Sequence, residues 1–292
     1  MPAPDPDGAG WAAVVVNYNA GAALAACVES VLAQDPAPEL VVVDNASTDG
    51  SADALRRSRP EVRVVRSGGN LGYARAANLG IAATRAPVVA VLNPDTVLRP
   101  GVGAALVARF AAEPGLGAAG PRLHNTDGTV YPSARKIPSL ADAVGHGLLF
   151  FVWRDNPFTR RYRETDADPA RPREVDWVSG AAVWLRRRAL DEVGGWDERY
   201  FMYVEDVDLC WRLRRAGWRV AYEPAGTVEH LLGVSTAGRP YRMIAEHHRS
   251  LLRFASVRFT GKRRALLAPA AGFLAARGAL AMAHHRIAAA RR

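Results

Sequence analysis

The stretch Tyr203 to Leu213, YVEDVDLCWRL, places three carboxylates, Glu205, Asp206 and Asp208, in an otherwise apolar and aromatic neighbourhood. Acids are rarely tolerated in such a setting without a task or a partner. Leu209, Leu213 and Ala216 recur at helical spacing, which predicts a helix that opens near Glu205 and Asp206. Carboxylates at that end suit the helix dipole and face whatever lies before the helix. The plain alternative is an N-terminal charge pattern in which Asp208 pairs with Arg212 one turn on. Two further acids stand apart. Asp44 closes the apolar run LVVVD, where a strand-end carboxylate can accept from a base imide N–H or a ribose hydroxyl. Asp95 follows Pro94, which restricts Asn93 to an extended backbone and so gives the acid a defined direction. Hard divalent ions take carboxylate and phosphate oxygens and keep several waters, so one or two protein ligands suffice at such a site. An Asx turn or a helix cap is the competing reading of Asp95.

These acids need a scaffold, and the chain from Ala12 to Leu92 reads as alternating strands and helices. Runs ending at Asn17, Asp44, Arg66 and Leu92 are apolar throughout or nearly so, which predicts a parallel sheet covered on both faces. Ligands of such sheets bind outside the carboxyl ends of the strands. Those ends carry Asn17 and Asn19, Asp44 and Asn45, Gly69 and Asn70, then Asn93 and Asp95. Neither GxGxxG at the first helix nor GxxxxGK[ST] occurs, which disfavours a dinucleotide enzyme or a P-loop NTPase. A fifth strand is expected over Gly117 to Pro121. From Arg122 to Glu174 the chain is polar and irregular around the apolar patch Leu148 to Trp153, a length that suggests a lid or binding loop. WVSGAAVWL then reads as a strand with a polar break. Ser179 and Gly180 would allow a ligand close to the backbone, and Trp177 is either a stacking platform or core. Two more strands, Arg219 to Tyr222 and Thr227 to His230, end on a histidine that is either structural or turned back toward the acids.

The 292 residues are 49% hydrophobic, enough for a sizeable core. Cys27 and Cys210 sit in helical patterns and read as core thiols. The opening MPAPDPDGAG lacks a basic start and an apolar run, so the expectation is a flexible stretch over residues 1–10 and a cytoplasmic setting. No apolar stretch is expected to span a bilayer. The formal charge of +9 is concentrated at one end: from Tyr241 on, eleven Lys or Arg stand against the single acid Glu246. A basic tail fits an anionic membrane face, a nucleic acid or a solvated surface. Nucleic acid is disfavoured, since neither zinc spacings nor an aromatic RNA platform is present.

Together, VVVNYN, VVDNASTDGS, GGNLGYARAANLG, LNPD, VSGAAVWLRRRALDEVGGWDERYFMYVEDVDLCWRLRRAGWRV and a following EH resemble the rhamnosyltransferase branch of glycosyltransferase family two. DGTVYPSARKIPSL and WRDNPFTRRY resemble, more narrowly, actinobacterial members that transfer L-rhamnose to the N-acetylglucosamine of a polyprenyl diphosphate in making the cell-wall linker. The resemblance runs from about residue 12 to 260. It implies an α/β chain with a GT-A fold, a mostly parallel Rossmann-like sheet flanked by helices, and a basic helical extension. The expected division is a catalytic domain over 11–240, its nucleotide-sugar half about 11–121 and its acceptor half about 122–240, followed by the extension over 241–292.

The implied roles follow position by position. Asp44 and Asn45 contact the nucleobase and ribose of dTDP-β-L-rhamnose, with Asn17, Asn19, Gly69, Asn70, Tyr73, Arg75, Asn78 and Asn93 as further donor surface. Asp95 and His230 hold Mg²⁺ or Mn²⁺; the sequence keeps only the last acid of the family's DxD motif. Asp206 is the base of an inverting displacement, supported by Glu205, and Trp177, Ser179, Gly180 and Asp208 form the acceptor wall. The tail is expected to meet anionic lipid at the inner face of the plasma membrane as an interfacial amphipathic element; the competing reading is a helix packed back on the catalytic domain or on a homodimer partner.

Overall fold

A computed structural model describes residues 10–150, 152–231 and 240–290. The N-terminal stretch expected to be flexible lies almost wholly outside these residues. In the first half, β1 (Trp11–Asn17), α1 (Ala23–Leu32), β2 (Glu39–Asp44), α2 (Ser51–Ser58), β3 (Arg63–Arg66), α3 (Tyr73–Ala82) and β4 (Val88–Leu92) alternate as the apolar runs require. Next come β5 (Thr96–Leu98), α4 (Val102–Ala112), β6 (Leu116–His124), β7 (Val130–Tyr131) and β8 (Ala134–Arg135). Two helices follow, α5 (Leu140–Leu149) and α6 (Pro157–Arg163), then β9 (Arg173–Glu174), β10 (Trp177–Val178) and β11 (Ala182–Arg186). The chain continues through α7 (Arg187–Val193), α8 (Glu205–Arg215), β12 (Arg219–His230), α9 (Pro240–Arg258), a 3₁₀ segment (Gly261–Leu266) and α10 (Leu267–Ala290).

The strands order as β3-β2-β1-β4-β11-β6-β12-β5, with β7 beside β6 and β9 beside β12. The stretch β3 to β4 is parallel, and its register sets Asn17 opposite Asp44 at one end of the sheet. Every residue of β1 is buried, and alternate side chains serve opposite layers. Trp11, Ala13 and Val15 meet α1 and α4, while Ala12, Val14 and Val16 meet α3, α7 and α8. Gly80 lets α3 lie flush on the sheet: a Cβ there would stand 2.2 Å from a Val14 methyl.

The second half departs from a mostly parallel sheet. β11 runs antiparallel between β4 and β6, and β5 runs antiparallel to β12. The expected strand with a polar break is two strands, β10 pairing β8 in a separate ribbon and β11 joining the main sheet. Conversely, the two strands expected after α8 are one, β12, whose pairing with β6 shifts register between Glu223 and Thr227. The stretch expected to be irregular holds α5, capped by Ser139 Oγ accepting from Asp142 N–H (3.1 Å), and α6, capped by Asn156 Oδ1 accepting from Thr159 N–H (3.0 Å).

The extension is a helical hairpin. His248 of α9 lies against Gly278 of α10, and Tyr241 meets His285 edge-on at 5.3 Å, so the two helices run antiparallel. α9 docks through Phe254, which meets Trp211 at 6.1 Å, and Ser250 Oγ, which donates to Met202 O at 2.9 Å. Two expectations for the tail are corrected here. The segment Gly261–Ile287, whose most apolar stretch of eighteen residues has a mean hydropathy of 1.5, is long and apolar enough to cross a membrane by length and composition. α10 is also apolar around its circumference rather than amphipathic, because alanine and leucine occupy most of its faces.

Candidate active site

α8 enters the sheet crevice with its acids first. Tyr203 and Val204 both take φ of 67°, a left-handed conformation that costs a β-branched residue dearly, and this turn aims the opening of α8 at β10 and β11. Asp206 Oδ2 accepts from Gly180 N–H at 2.9 Å and Oδ1 from Val207 N–H at 2.8 Å, while the carboxylate lines the cavity. Burial raises its pKa against the opposing pull of those two N–H groups and of Arg135. Glu205, buried with no partner for Oε2, is pushed up to about 8, by burial first and then by Asp206 beside it. Two adjacent acids whose affinity for protons is raised can take up a proton near neutral pH. A Cβ on Gly180 would stand 3.3 Å from Asp206 Cβ, so the expected close approach at Gly180 is to this acid.

Asp208 lies elsewhere. Two positions along a helix turn a side chain by about 200°, and its carboxylate meets Arg212 Nε at 2.7 Å and Tyr200 OH at 3.3 Å. Arg212 in turn donates to Val193 O (2.7 Å) and Gly195 O (2.8 Å). The acid therefore fastens α8 to the preceding loop and is not part of an acceptor wall.

At the strand ends, Asn45 holds the loop before α3. Its Nδ2 donates to Asn70 Oδ1 (3.2 Å) and Gly72 O (3.3 Å), and its Oδ1 accepts from Leu71 N–H (2.9 Å). Tyr73 OH donates to Gly180 O at 2.6 Å, tying this loop to the β10–β11 turn. Asn19, Asn45, Asn70, Tyr73 and Asn93 line the main cavity. Asp44 opens instead on an adjoining recess of about 170 Å³ shared with Ser47, Thr48 and Arg66. Asn17 lies behind it, donating to Asp44 Oδ1 (3.3 Å), Ser47 Oγ (3.0 Å) and Ser51 Oγ (3.1 Å), and so orients the acid without reaching the cavity. Three further candidates fall outside the lining. Gly69 O accepts from Ser67 Oγ (2.6 Å), Arg75 pairs with Glu198 (3.0 Å), and Asn78 bonds both backbone groups of Trp196. Arg75 and Asn78 are drawn away because α3 presents them to the 195–198 loop.

The antiparallel pairing of β12 with β5 sets His230 opposite Thr96 and so beside Asp95. His230 Nε2 stands 3.3 Å from Asp95 Oδ1 and 3.3 Å from Asn93 Nδ2; both Asp95 and His230 are buried, and His230 Nδ1 has no partner. An imidazole and a carboxylate facing a polar crevice form a donor set that Mg²⁺ or Mn²⁺ accepts. Among the described residues no group of three or more His, Cys, Asp or Glu accompanies them. A metal here would be held by two protein ligands and completed by oxygens of substrate and water.

One residue carried no signal in the sequence beyond its place in SARK. Arg135 lies under Trp177 (5.0 Å to the ring centre), Tyr131 (5.6 Å) and Tyr162 (5.6 Å), and bonds Pro132 O at 2.6 Å. Its charge faces Asp206 across the cavity. Trp177, buried and donating to Lys136 O at 3.1 Å, is thus the roof of an arginine cage, and Ser179 lines the cavity between Arg135 and Gly180. The cavity has a volume of about 1570 Å³ and extends from the strand ends past Asp206 to α5, α9 and α10.

A crevice at the strand ends, roofed by antiparallel additions and bordered by paired acids, defines a GT-A fold. Residues 12–194 match the family model for glycosyl transferase family 2, and residues 145–250 that for glycosyl transferase family group 2. The chain belongs to glycosyl transferase family 2. It is 39% identical over 284 residues to the N-acetylglucosaminyl-diphospho-decaprenol L-rhamnosyltransferase of Mycobacterium tuberculosis (strain ATCC 25618 / H37Rv), covering 93% of this chain and 91% of the relative. The fold is similar to that of GalNAc-T7 solved with UDP, GalNAc and Mn²⁺, with a TM-score of 0.63 and 16% identity over 89% of this chain and 50% of that one. It is also similar to mannosyltransferase PcManGT from Pyrobaculum calidifontis solved with GDP-Man and Mn²⁺, with a TM-score of 0.59 and 21% identity over 98% and 78% of the two chains.

Proposed function

We propose that this glycosyltransferase moves L-rhamnose from dTDP-β-L-rhamnose to the 3-hydroxyl of N-acetylglucosamine carried on a polyprenyl diphosphate, with inversion at the sugar. The observation that carries the reading is the 39% identity to a rhamnosyltransferase of that name over nearly the full length of both chains. The site is chemically suited to it. Asn45 and the loop it holds border the space for a nucleotide at the strand ends, and Asp44, oriented by Asn17, offers an acceptor beside it. Asp206, fixed by two backbone N–H groups, takes the proton from the attacking hydroxyl, and its burial keeps that proton affinity raised. Asp95 and His230 hold Mg²⁺ or Mn²⁺, which when bound stabilises negative charge on the departing diphosphate.

The domain division follows the same reading, with residues 11–240 performing the transfer and 241–292 meeting an anionic membrane surface on the cytoplasmic side. A homodimer through α10 is the other use of that exposed helix. The test is transfer of labelled sugar from a panel of dTDP, UDP and GDP donors to N-acetylglucosaminyl-diphospho-prenol. Transfer from dTDP-rhamnose with an α-1,3 linkage is expected. Asp206→Asn should lower kcat by about 10²–10⁴ while dTDP binds with unchanged affinity; retained turnover removes Asp206 from the role of base.

A further inference from the structure

The cavity is longer than a nucleotide sugar and an acceptor sugar require, and its two ends differ in chemistry. Among the described residues that line it, the acids Asp95, Glu205 and Asp206 all lie at the strand-end side. The far half is walled by α5, α9, the 3₁₀ segment and α10, and the charged residues there are arginines: Arg242, which lies over the Phe201 ring at 5.0 Å, and Arg258, Arg263 and Arg277, with Arg135 at the junction. Between them lie Phe259, Leu266, Phe273 and Leu274.

The arginines converge. Arg263 is close enough to lower the pKa of Arg258 once burial has done so, and Arg277 and Arg135 both act on His146 and His247. Burial first, then Arg163 for His146 and His248 for His247, and after them Arg277 and Arg135, lower His146 to about 4 and His247 to about 3, so neither imidazole adds a charge of its own at neutral pH. Asp176, the carboxylate nearest in influence to Arg258, is engaged by Arg214 and by Ile137 N–H (2.8 Å). Arg258 is aimed by its bond to Pro138 O (2.8 Å), and Arg277 by its bond to His248 Nε2 (3.0 Å). The wall closes because Gly147 lacks a side chain: a Cβ there would stand 2.7 Å from Phe273 and 3.3 Å from Arg277.

Resting on the reaction proposed above, we infer that this far half is the seat of the acceptor's diphosphate and first isoprene units. Arg258, Arg263 and Arg277 take the phosphate oxygens, and Phe259, Phe273 and Leu274 take the hydrocarbon. Guanidinium forks match phosphate geometry, and an apolar wall directly beside them suits a molecule that joins a diphosphate to a hydrocarbon chain. Continuity with Asp206 places the sugar between the arginines and the base. The chain then leaves along α10, whose surface is apolar and exposed.

The test compares two acceptors in neutral detergent micelles free of anionic lipid: N-acetylglucosaminyl-diphospho-farnesol and the uncharged octyl β-N-acetylglucosaminide. The quantity read is the ratio of kcat/KM for the charged acceptor to that for the uncharged one, in the full-length enzyme and in Arg258→Gln, Arg263→Gln and Arg277→Gln. The ratio should fall at least tenfold in each variant and recover at least in part in Arg258→Lys. Arg263 is exposed, so its variant folds even where the others do not, and dTDP affinity reports folding in all of them. A ratio unchanged in all three variants while the parent enzyme uses both acceptors overturns this inference and leaves the reaction standing. Transfer to neither acceptor by the parent overturns the reaction itself. If the variants lose only binding to phosphatidylglycerol vesicles, with the ratio intact, the arginines serve the bilayer surface and the inference fails.

Discussion

Glu205 and Asp206 titrate as one system, with Tyr73 as the third ionisable group in their field. The folded protein holds a proton on Glu205 up to about pH 8, whereas the unfolded chain releases it near 4.5. Between those values the native state binds the extra proton, so stability falls as pH rises through the window and the loss is complete above it. Glu205→Gln keeps the shape and removes the titration. Its melting temperature should therefore match that of the parent near pH 5 and exceed it increasingly toward pH 9, read by thermal unfolding across that range. A gap that does not change with pH would show that Glu205 ionises freely. At this scale the sequence revealed the acids because carboxylates in an apolar stretch are conspicuous, and Asn93 to Asp95 because strand ends collect polar groups. The i to i+4 spacing offered the Asp208–Arg212 pair that the structure shows, but left open whether Asp208 also faced the acceptor, which depends on the phase of a helix by a single residue. Arg135 was hidden, since its cage is assembled from Tyr131, Tyr162 and Trp177 on separate elements.

Among the elements, the turn into α8 sets the position of both acids, and it does so under backbone strain at Tyr203 and Val204. Replacing Val204 by glycine relieves roughly 1–2 kcal/mol of that strain and forfeits roughly 1.5–3 kcal/mol of burial. The two partly offset, so Val204→Gly should cost less than about 2 kcal/mol in denaturant unfolding, below Val14→Gly in β1, where about 3 kcal/mol or more is expected with no strain to relieve. Equal losses at the two sites would show that the turn stores nothing. The strands from β1 to β4 were legible because unbroken apolar runs have one use, the centre of a parallel sheet. The antiparallel insertion of β11 was not, because the four apolar residues Ala182 to Leu185 carry no mark of direction. α5 was hidden by its own glycines: Gly145 and Gly147 weaken helix propensity, yet each admits an aromatic ring, Phe158 and Phe273 respectively.

Over the whole molecule, the exposed hydrophobic side chains include Leu148 in α5, Val152 and Trp153 just after it, and Leu280 and Ile287 on α10. Lys262 and Arg264, both exposed, stand at the start of the apolar segment. Each basic side chain near an anionic bilayer is worth about fivefold in affinity, so Lys262→Gln with Arg264→Gln should weaken co-sedimentation with phosphatidylglycerol vesicles by about 25-fold and leave neutral vesicles unaffected. No change with either vesicle would assign α10 to another copy of the chain. The charge asymmetry that marked this tail was plain in the sequence, whereas its hairpin shape depended on Phe254, Ser250 and Gly278 finding partners far along the chain.

The bond from Tyr73 OH to Gly180 O has one more consequence. It joins the loop before α3 to the turn that also grips Asp206, so under the proposed reaction a single phenol is a shared fixture of the nucleotide site and the base. A defect at Tyr73 is therefore ambiguous when scored by growth or by turnover alone, since loss of the nucleotide grip and slackening of the base give the same reading. In Tyr73→Phe, which severs the link while the ring keeps its edge contact with Trp196, dTDP affinity and kcat measured separately tell the two apart.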